Sequence, residues 1–264
     1  MKKSVTIVSA AIFSIIFGSS YTAQAQKWAD LTMTVVLDGE VPKVKEVTVN
    51  ADAICMMNKI MSEDLVVDPS TKGIANVVFM INSKLTKLET KQFHPDLQKV
   101  PTDKPVLDNL KCAFIPHVMA IRAGQSLLVK NSDQTGHNAK FNFFRNDEEN
   151  PMIPVGGSKE IATKLEEPGA TQVLCNIHPW MTSYVFVTGH PYVGISDAAG
   201  KIKIEKLPAG VELDFKLWHE KTIEEASLAG TKEPWKKGLV KLTLKEGAND
   251  LGKLLIKPDR FKSK

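Results

Sequence analysis

The residues with the clearest chemistry lie in one short segment, Cys175-Asn176-Ile177-His178-Pro179-Trp180-Met181. It places a thiol, an imidazole and a thioether at the spacing C-x2-H-x2-M, directly after an apolar stretch. A thiolate, imidazoles and a weak axial thioether are the ligands of a blue-copper electron-transfer site. A turn with Cys175 and His178 three residues apart can direct both side chains to one point, and Met181 can approach it axially. The segment therefore predicts three ligands of a mononuclear copper site.

A site of this kind needs a second histidine, carried by an earlier strand that ends at the same pole of the fold. His137 meets this requirement, because it follows the apolar stretch 127–130 through the polar run Asn131-Ser132-Asp133-Gln134-Thr135-Gly136. Zinc could use the same Cys and His side chains, but a tetrahedral zinc site prefers more thiolate or imidazole and no thioether. The segment could also hold a catalytic Cys-His pair, or Cys175 could be a buried structural cysteine.

Along the chain, short segments rich in apolar and β-branched residues alternate with turn residues, which is typical of an all-β protein. Leu213, Phe215 and Leu217 alternate with charged residues, a period of two that is typical of strands with one buried face. Strands are predicted over 31–37, 44–49, 74–81, 126–129, 140–144, 171–174, 183–188, 211–217 and 240–244. Short helices are predicted only over 53–61 and 223–228. A domain boundary is expected near Thr188-Gly189-His190-Pro191.

The ligand segment resembles the ligand loop of the amicyanin and plastocyanin group of cupredoxins, with a spacing most similar to that of amicyanin. The segments 122–127, 131–133 and 137–138 are similar to the strand that carries the first histidine in those proteins. A wider resemblance, to exported bacterial cupredoxin-like and methylamine-utilisation proteins, includes the segments 112–118, 190–192 and 218–220. Together these resemblances cover about residues 31–220, most of the expected mature chain.

The resemblance implies an all-β fold made of two units. Residues 26–188 would form a cupredoxin-like Greek-key β-sandwich with an N-terminal extension. Residues 189–264 would form a smaller β-sandwich unit, similar to carboxypeptidase-regulatory-like domains. Such small units are usually structural or bind ligands.

The resemblance also implies roles for single residues around one type 1 copper ion. His137, Cys175 and His178 would be equatorial ligands and Met181 the axial ligand. Asn138 would tie the two ligand loops together by hydrogen bonds. Pro179 and Trp180 would lie beside the edge of His178 that faces a redox partner.

Two further features have structural and functional interpretations. Cys55 and Cys112 remain after Cys175 is assigned to the metal, so parity predicts a disulfide between them, with a second metal or redox pair as the alternative. His117 could be a satisfied core histidine, an outer residue of the copper site or part of a second metal site. The structural interpretation is the preferred one.

The N-terminus predicts a secretory signal peptide over 1–25. Lys2 and Lys3 precede an apolar run over 5–17, and Ala23-Gln24-Ala25 is an A-x-A cleavage site, so the mature chain is expected to begin at Gln26. The run is shorter than the ~20 residues needed to span a bilayer, and no membrane span is expected in the mature chain. We expect a periplasmic or secreted protein, in a compartment where disulfides form.

The net charge and the histidine spacing of the sequence exclude two classes of function. The formal net charge is only +4 over 264 residues, with Lys and Glu interspersed, so no nucleic-acid partner is expected. A multicopper oxidase would need paired H-x-H motifs, and the sequence has none. We therefore predict an electron carrier with transient protein redox partners, and not an enzyme. The chain could instead be a non-catalytic β-sandwich binding or structural module, or a periplasmic copper carrier.

Overall fold

The computed structural model describes residues 26–49 and 52–262, and the predicted signal peptide lies outside this range. The regular structure of the described residues is nearly all β. The first strands are β1 (Trp28–Leu37), β2 (Val78–Ile81), β3 (Val106–Leu110), β4 (Ala113–Ile115), β5 (Val118–Arg122), β6 (Ser126–Asn131), β7 (His137–Asn138), β8 (Lys140–Phe141), β9 (Met152–Ile153), β10 (Ser158–Ala162) and β11 (Ala170–Leu174). The later strands are β12 (Thr182–Thr188), β13 (Val193–Ile195), β14 (Lys201–Pro208), β15 (Glu212–Trp218), β16 (Thr222–Ile223), β17 (Glu225–Leu228), β18 (Trp235–Lys236), β19 (Leu239–Thr243), β20 (Gly247–Ile256) and β21 (Phe261–Lys262).

Within residues 26–49 and 52–262, helical structure is limited to short segments. These are the helix α1 (Ala53–Met56) and the 3-10 turns Thr90–Gln92, Pro95–Leu97 and Pro258–Arg260. None of the helices in the described part of the chain has the length and apolar character to cross a bilayer.

Two four-stranded sheets from the middle of the chain form what we call the central sandwich. Their strand orders are β10-β6-β3-β4 and β5-β12-β11-β8. Alternate side chains of both sheets fill one apolar core, as expected for strands with one buried face. Leu107 and Leu127 come from the first sheet, and Val173 and Val185 from the second. The loop that follows β11 leaves directly from this core. The packing of β11 therefore fixes the position of the first residues of the loop.

Two other sheets form what we call the terminal sandwich, because its strands come from both ends of the described chain. Their orders are β14-β1-β20-β17-β18 and β13-β2-β15-β19. Leu31 and Ile204 of the first sheet share a core with Phe79 and Phe215 of the second. The rings of Phe79 and Phe215 stack with their centroids 4.8 Å apart. Strand β1 lies inside its sheet, antiparallel to β14 and parallel to β20.

The sheet pairing differs from the predicted division of the chain near residue 189. Strands β1 and β2 precede the central sandwich in sequence but pair with β13, β14, β15 and β20, which follow it. The N-terminal part of the predicted 26–188 unit therefore belongs to the terminal sandwich. The central sandwich is correspondingly shorter, and its strands lie within 106–188.

The two sandwiches are in direct contact through a third apolar cluster. Val78 and Met80 of β2 pack there with Val118 of β5 and with Tyr184 and Phe186 of β12. The Trp218 ring, at the end of β15, lies 5.1 Å from the Tyr184 ring and 4.9 Å from the Phe186 ring between centroids. One sheet of each sandwich thus has apolar side chains on both faces.

Three local predictions need correction. The segment 223–228 is not helical: it forms parts of β16 and β17, and β17 pairs with β18 and β20. The predicted helix 53–61 is limited to the four residues of α1. The predicted strand 44–49 makes only an isolated bridge, between Glu46 and Met61. Tertiary pairing overrides the helix propensity of 223–228, and 44–49 lacks a neighbouring strand.

Candidate metal centre

The loop between β11 and β12 carries three of the four predicted ligands. The Cys175 amide donates to the Met181 carbonyl over 3.3 Å, and the Met181 amide donates to the His178 carbonyl over 2.9 Å. These bonds close the loop on itself, so the spacing of its ligands is fixed by the backbone. Cys175, His178 and Met181 are all buried, each about 1% exposed. Met181 packs in the same apolar core as Cys175.

His137 brings the fourth predicted ligand to the same place from strand β7. Its Nδ1 lies 2.9 Å from Nδ1 of His178 and 3.9 Å from Sγ of Cys175. The third side of this triangle, from Cys175 Sγ to His178 Nδ1, is 3.7 Å. The fold therefore brings together His137, Cys175 and His178, which are separated by up to 41 residues.

The triangle has the size and chemistry of a metal site. Bonds from a metal such as zinc to imidazole nitrogen and thiolate sulfur are about 2.0–2.3 Å. Donor atoms 2.9–3.9 Å apart can therefore all reach one ion. Two imidazoles and a thiolate with a nearby thioether match the preference of copper, whereas a structural zinc site closes with a fourth nitrogen or sulfur ligand. The residues fit copper best.

A carboxylate holds the far nitrogen of each histidine. Asp133 Oδ2 lies 3.0 Å from His137 Nε2, and Asp52 Oδ2 lies 3.2 Å from His178 Nε2. Such partners fix the tautomer and the ring orientation of metal-binding histidines. Both carboxylates are absent from the sequence-based prediction. Asp133 could have been found from its position four residues before His137, but Asp52 is 126 residues away from His178 and left no local signal.

The surroundings of Asp52 favour an ionised carboxylate, and those of His137 favour a neutral imidazole. The amide hydrogen bond from Cys55 lowers the pKa of Asp52 to about 2, helped by hydrogen bonds from Thr135, His178 and Ile54 and opposed by burial. Burial lowers the pKa of His137, and the neighbouring His178 lowers it further, against the effect of Asp133. A neutral imidazole keeps one nitrogen lone pair available for a metal.

Asn138 lies between the segment of His137 and the loop of Cys175. Its Oδ1 accepts the Asn176 amide over 2.8 Å and lies 3.5 Å from Cys175 Sγ. Its Nδ2 donates to Asn150 Oδ1 over 2.6 Å. The side chain thus links the loop of Cys175 to the segment of His137.

The edge of His178 is covered, which differs from the exposed edge implied by the resemblance. The side chain is about 1% exposed, and Asp52 lies against its Nε2. Trp180 is half-buried, with its ring 5.2 Å from the His178 ring, and Pro179 is exposed. Asp52 therefore stands between this histidine and solvent.

The predicted disulfide is confirmed, and it lies beside the site. Cys55 and Cys112 are joined, leaving Cys175 as the free thiol. The Cys112 carbonyl accepts the indole N–H of Trp180 over 3.2 Å. The disulfide therefore attaches the Asp52 segment to the central sandwich.

His117 lies outside the ligand triangle. It lines a cavity of about 170 Å³ together with Trp180, Met181 and three acidic residues, Glu63, Asp64 and Glu220. Its Nδ1 lies 3.4 Å from Glu63 and its Nε2 lies 3.3 Å from Glu220. Two ion pairs support the structural interpretation of this residue.

No protein-family model matches the sequence, and no curated protein matches it significantly. Among solved structures, the chain is similar to the copper-containing nitrite reductase of Thermus scotoductus SA-01, at 19% identity and a TM-score of 0.31, over 34% of this chain and 23% of that chain. It is similar to an amicyanin variant in its Cu(I) form, at 20% identity and a TM-score of 0.30, over 34% and 87% of the two chains.

A third structure is a purple cupredoxin from Nitrosopumilus maritimus, at 19% identity and a TM-score of 0.28, over 32% of this chain and 100% of that one. The chain spans less than a quarter of the nitrite reductase, and each of the three matches leaves about two thirds of this chain uncovered. The function of this chain is therefore inferred from its own residues.

Proposed function

We propose that this chain is an exported copper protein that carries single electrons between transient protein redox partners. One type 1 copper ion would be held by His137, Cys175, His178 and Met181. The observation that carries the proposal is the buried triangle of two imidazole nitrogens and one thiol sulfur, with sides of 2.9–3.9 Å. When bound, copper supplies a centre that alternates between Cu(I) and Cu(II).

The residues around the triangle supply rigidity. Backbone hydrogen bonds close the loop from Cys175 to Met181, and Asp52 and Asp133 fix the two imidazoles. A ligand set held in this way changes little between the two oxidation states. Electron transfer benefits from such rigidity, because each rearrangement of ligands would add to the barrier.

The burial of the ligands favours an electron carrier over a copper carrier. A protein that hands on its metal needs ligands that an acceptor can reach, and His137, Cys175 and His178 are all about 0–1% exposed. A partner can still contact the ligand loop, because the side chain of Ile177, next to His178 in the sequence, is 45% exposed. We expect that contact to be small and brief, as redox encounters are.

The proposal is tested by titrating the mature chain, residues 26–264, with Cu(II) while recording visible absorption and electron paramagnetic resonance. A single equivalent should give an intense thiolate-to-copper band and a narrow hyperfine splitting. Cys175→Ala should lose both signals. His94→Ala is the matched control, because His94 packs against Trp28 away from the triangle and should keep both.

A colourless or tetragonal Cu(II) signal that Cys175→Ala leaves unchanged would contradict the proposal. Reversible cycling between Cu(I) and Cu(II) without loss of metal would distinguish an electron carrier from a copper carrier. Rapid transfer of the copper to a chelator would favour the copper carrier instead.

A further inference from the structure

The two aspartates behind the histidines are connected to each other through the disulfide. Asp52 Oδ1 accepts the amide of Cys55 over 3.1 Å, and Asp133 Oδ2 accepts the amide of Cys112 over 2.8 Å. Cys55 and Cys112 are covalently joined. A continuous path of contacts therefore runs behind the metal site from one ligand histidine to the other.

The Asp133 end of this path is built on an unusual turn. Lys111 and Cys112 connect β3 to β4, and both have positive φ values, 55° and 56°, although neither is glycine. The left-handed region is costly for such residues. Asp133 accepts both of their amides, at 2.6 and 2.8 Å, and so stabilises the turn that carries Cys112.

At the other end of this path, the position of Asp52 is also set by hydrogen bonds to more than one segment. Asp52 caps α1 by accepting the amides of Ile54 and Cys55. Its Oδ2 also accepts the hydroxyl of Thr135 over 2.8 Å, from the loop just before His137. Because α1 has only four residues and a helix this short is marginal alone, the disulfide is the covalent tie that keeps Asp52 against His178.

We propose that Asp52 and Asp133 are positioning residues for the two histidines, and that the Cys55–Cys112 disulfide is the brace that holds them. This inference rests on the proposed function, since it assigns their role to the same metal site. Each carboxylate accepts Nε2–H, so that the Nδ1 lone pair of each imidazole faces Cys175. The ligand set is then organised before any metal arrives.

Asp52→Asn tests whether Asp52 positions His178, because the asparagine side chain has nearly the same shape as aspartate. The carboxamide can still accept the amides of α1 but no longer offers a charged acceptor to His178. Loss of such a partner typically weakens metal binding by about 10–100-fold. We expect that weakening for both Cu(II) and Co(II), together with an altered copper hyperfine splitting.

Asp68→Asn is the matched control for loss of a capping carboxylate. Asp68 accepts the amides of Ser70 and Thr71, as Asp52 accepts those of Ile54 and Cys55, and its hydrogen bonds are confined to its own turn. It should keep the wild-type affinities and spectrum. Since Asp68→Asn tests the loss of a cap alone, a selective effect of Asp52→Asn identifies positioning of His178.

Replacing both Cys55 and Cys112 by Ser removes the disulfide and so tests its contribution to the positions of the two histidines. This variant should bind Co(II) more weakly than wild type by a similar factor, measured where circular dichroism shows that it is folded. Wild-type metal affinity and spectrum in Asp52→Asn would overturn the inference, even if the cysteine variant does not fold.

Measurements with Co(II) and with copper distinguish a failure of this inference from a failure of the proposed function. Co(II) affinity measures the organisation of the ligands whether or not the protein carries electrons. If wild type lacks a type 1 copper spectrum, the proposed function fails, and the Co(II) ratio still decides the role of Asp52. If all variants share one type 1 spectrum and one affinity, the brace fails and the proposed function stands.

Discussion

His117 is a buried histidine whose positive charge is stabilised by two carboxylates. Burial lowers its pKa, but Glu220 and Glu63 outweigh burial and raise the pKa to about 9. Its Nδ1 also lies 3.1 Å from the Thr182 carbonyl. Glu63 precedes the central sandwich in the chain and Glu220 follows β15, so the imidazolium links segments that are distant in sequence.

This raised pKa predicts that part of the stability depends on pH. Because the folded pKa lies above the ordinary value of 6.5, the contribution is fully present below about pH 6.5 and is lost as pH rises through about 9. The difference corresponds to roughly 3 kcal/mol. Urea denaturation of wild type and His117→Gln should show a large gap in unfolding free energy at pH 6 and a small one near pH 10. A gap that is the same at both pH values would contradict the prediction.

The cluster of candidate ligands could be predicted because most of its geometry is local. Cys175, His178 and Met181 are held by one loop, and their chemistry is evident from their spacing. The aspartates could not be predicted in the same way. Asp52 is held against His178 by a disulfide and by a tertiary hydrogen bond with Thr135, and neither contact leaves a periodic signal in the sequence.

At the scale of elements, β1 is the strand whose position has the largest consequences. It lies between β14 and β20 in the terminal sandwich and buries alternate side chains, including Leu31 and Val35. Its neighbours are located more than 160 residues later in the chain. Changes in β1 should therefore act on the terminal sandwich and leave the metal site intact.

Leu31→Ala tests this assignment. Truncation of a fully buried leucine should cost about 2–5 kcal/mol of unfolding free energy, because it removes apolar contacts and leaves a cavity. The copper absorption band of the native protein should be unchanged. Denaturant unfolding followed by tryptophan fluorescence measures the loss. Thr32→Ala, on the other face of β1, is the control, and an equal loss in both variants would argue against the assignment.

The strands with a clear period of two were the easiest elements to predict. In β15, Leu213, Phe215 and Leu217 are buried as the alternation indicates. The pairing of the strands was not predictable, because period and composition do not identify the neighbour of a strand. The segment 223–228 shows the limit most clearly, since its Glu and Ala favour a helix and its pairing with β18 and β20 makes it a strand.

At the scale of the whole molecule, Trp218 is the main aromatic contact between the two sandwiches. It lies within 5.1 Å of the Tyr184 and Phe186 rings, which belong to β12 of the central sandwich. Strand β12 begins one residue after Met181. The contact between the sandwiches is thus adjacent in sequence to the loop that carries Cys175, His178 and Met181.

Trp218→Ala should weaken the coupling between the two sandwiches. Truncation of a packed tryptophan costs about 3–5 kcal/mol, and here the loss falls on the interface. We expect calorimetry to resolve two thermal transitions in place of one. Trp235→Ala is the matched control, since Trp235 stacks on Phe79 inside the terminal core and should lower one transition without separating the two. A single unshifted transition in Trp218→Ala would refute the prediction.

The pairing of β1 with β20 also sets an order of events during synthesis. Strand β1 is made early, whereas its parallel neighbour spans Gly247–Ile256, close to the end of the chain. The strands of the central sandwich, within 106–188, are complete well before that. Long-range pairing is slow, and an apolar strand without its neighbours is prone to aggregate. The synthesis of β20 therefore determines when β1 gains its parallel neighbour, and a chaperone that shields β1 until then would raise the yield of folded protein.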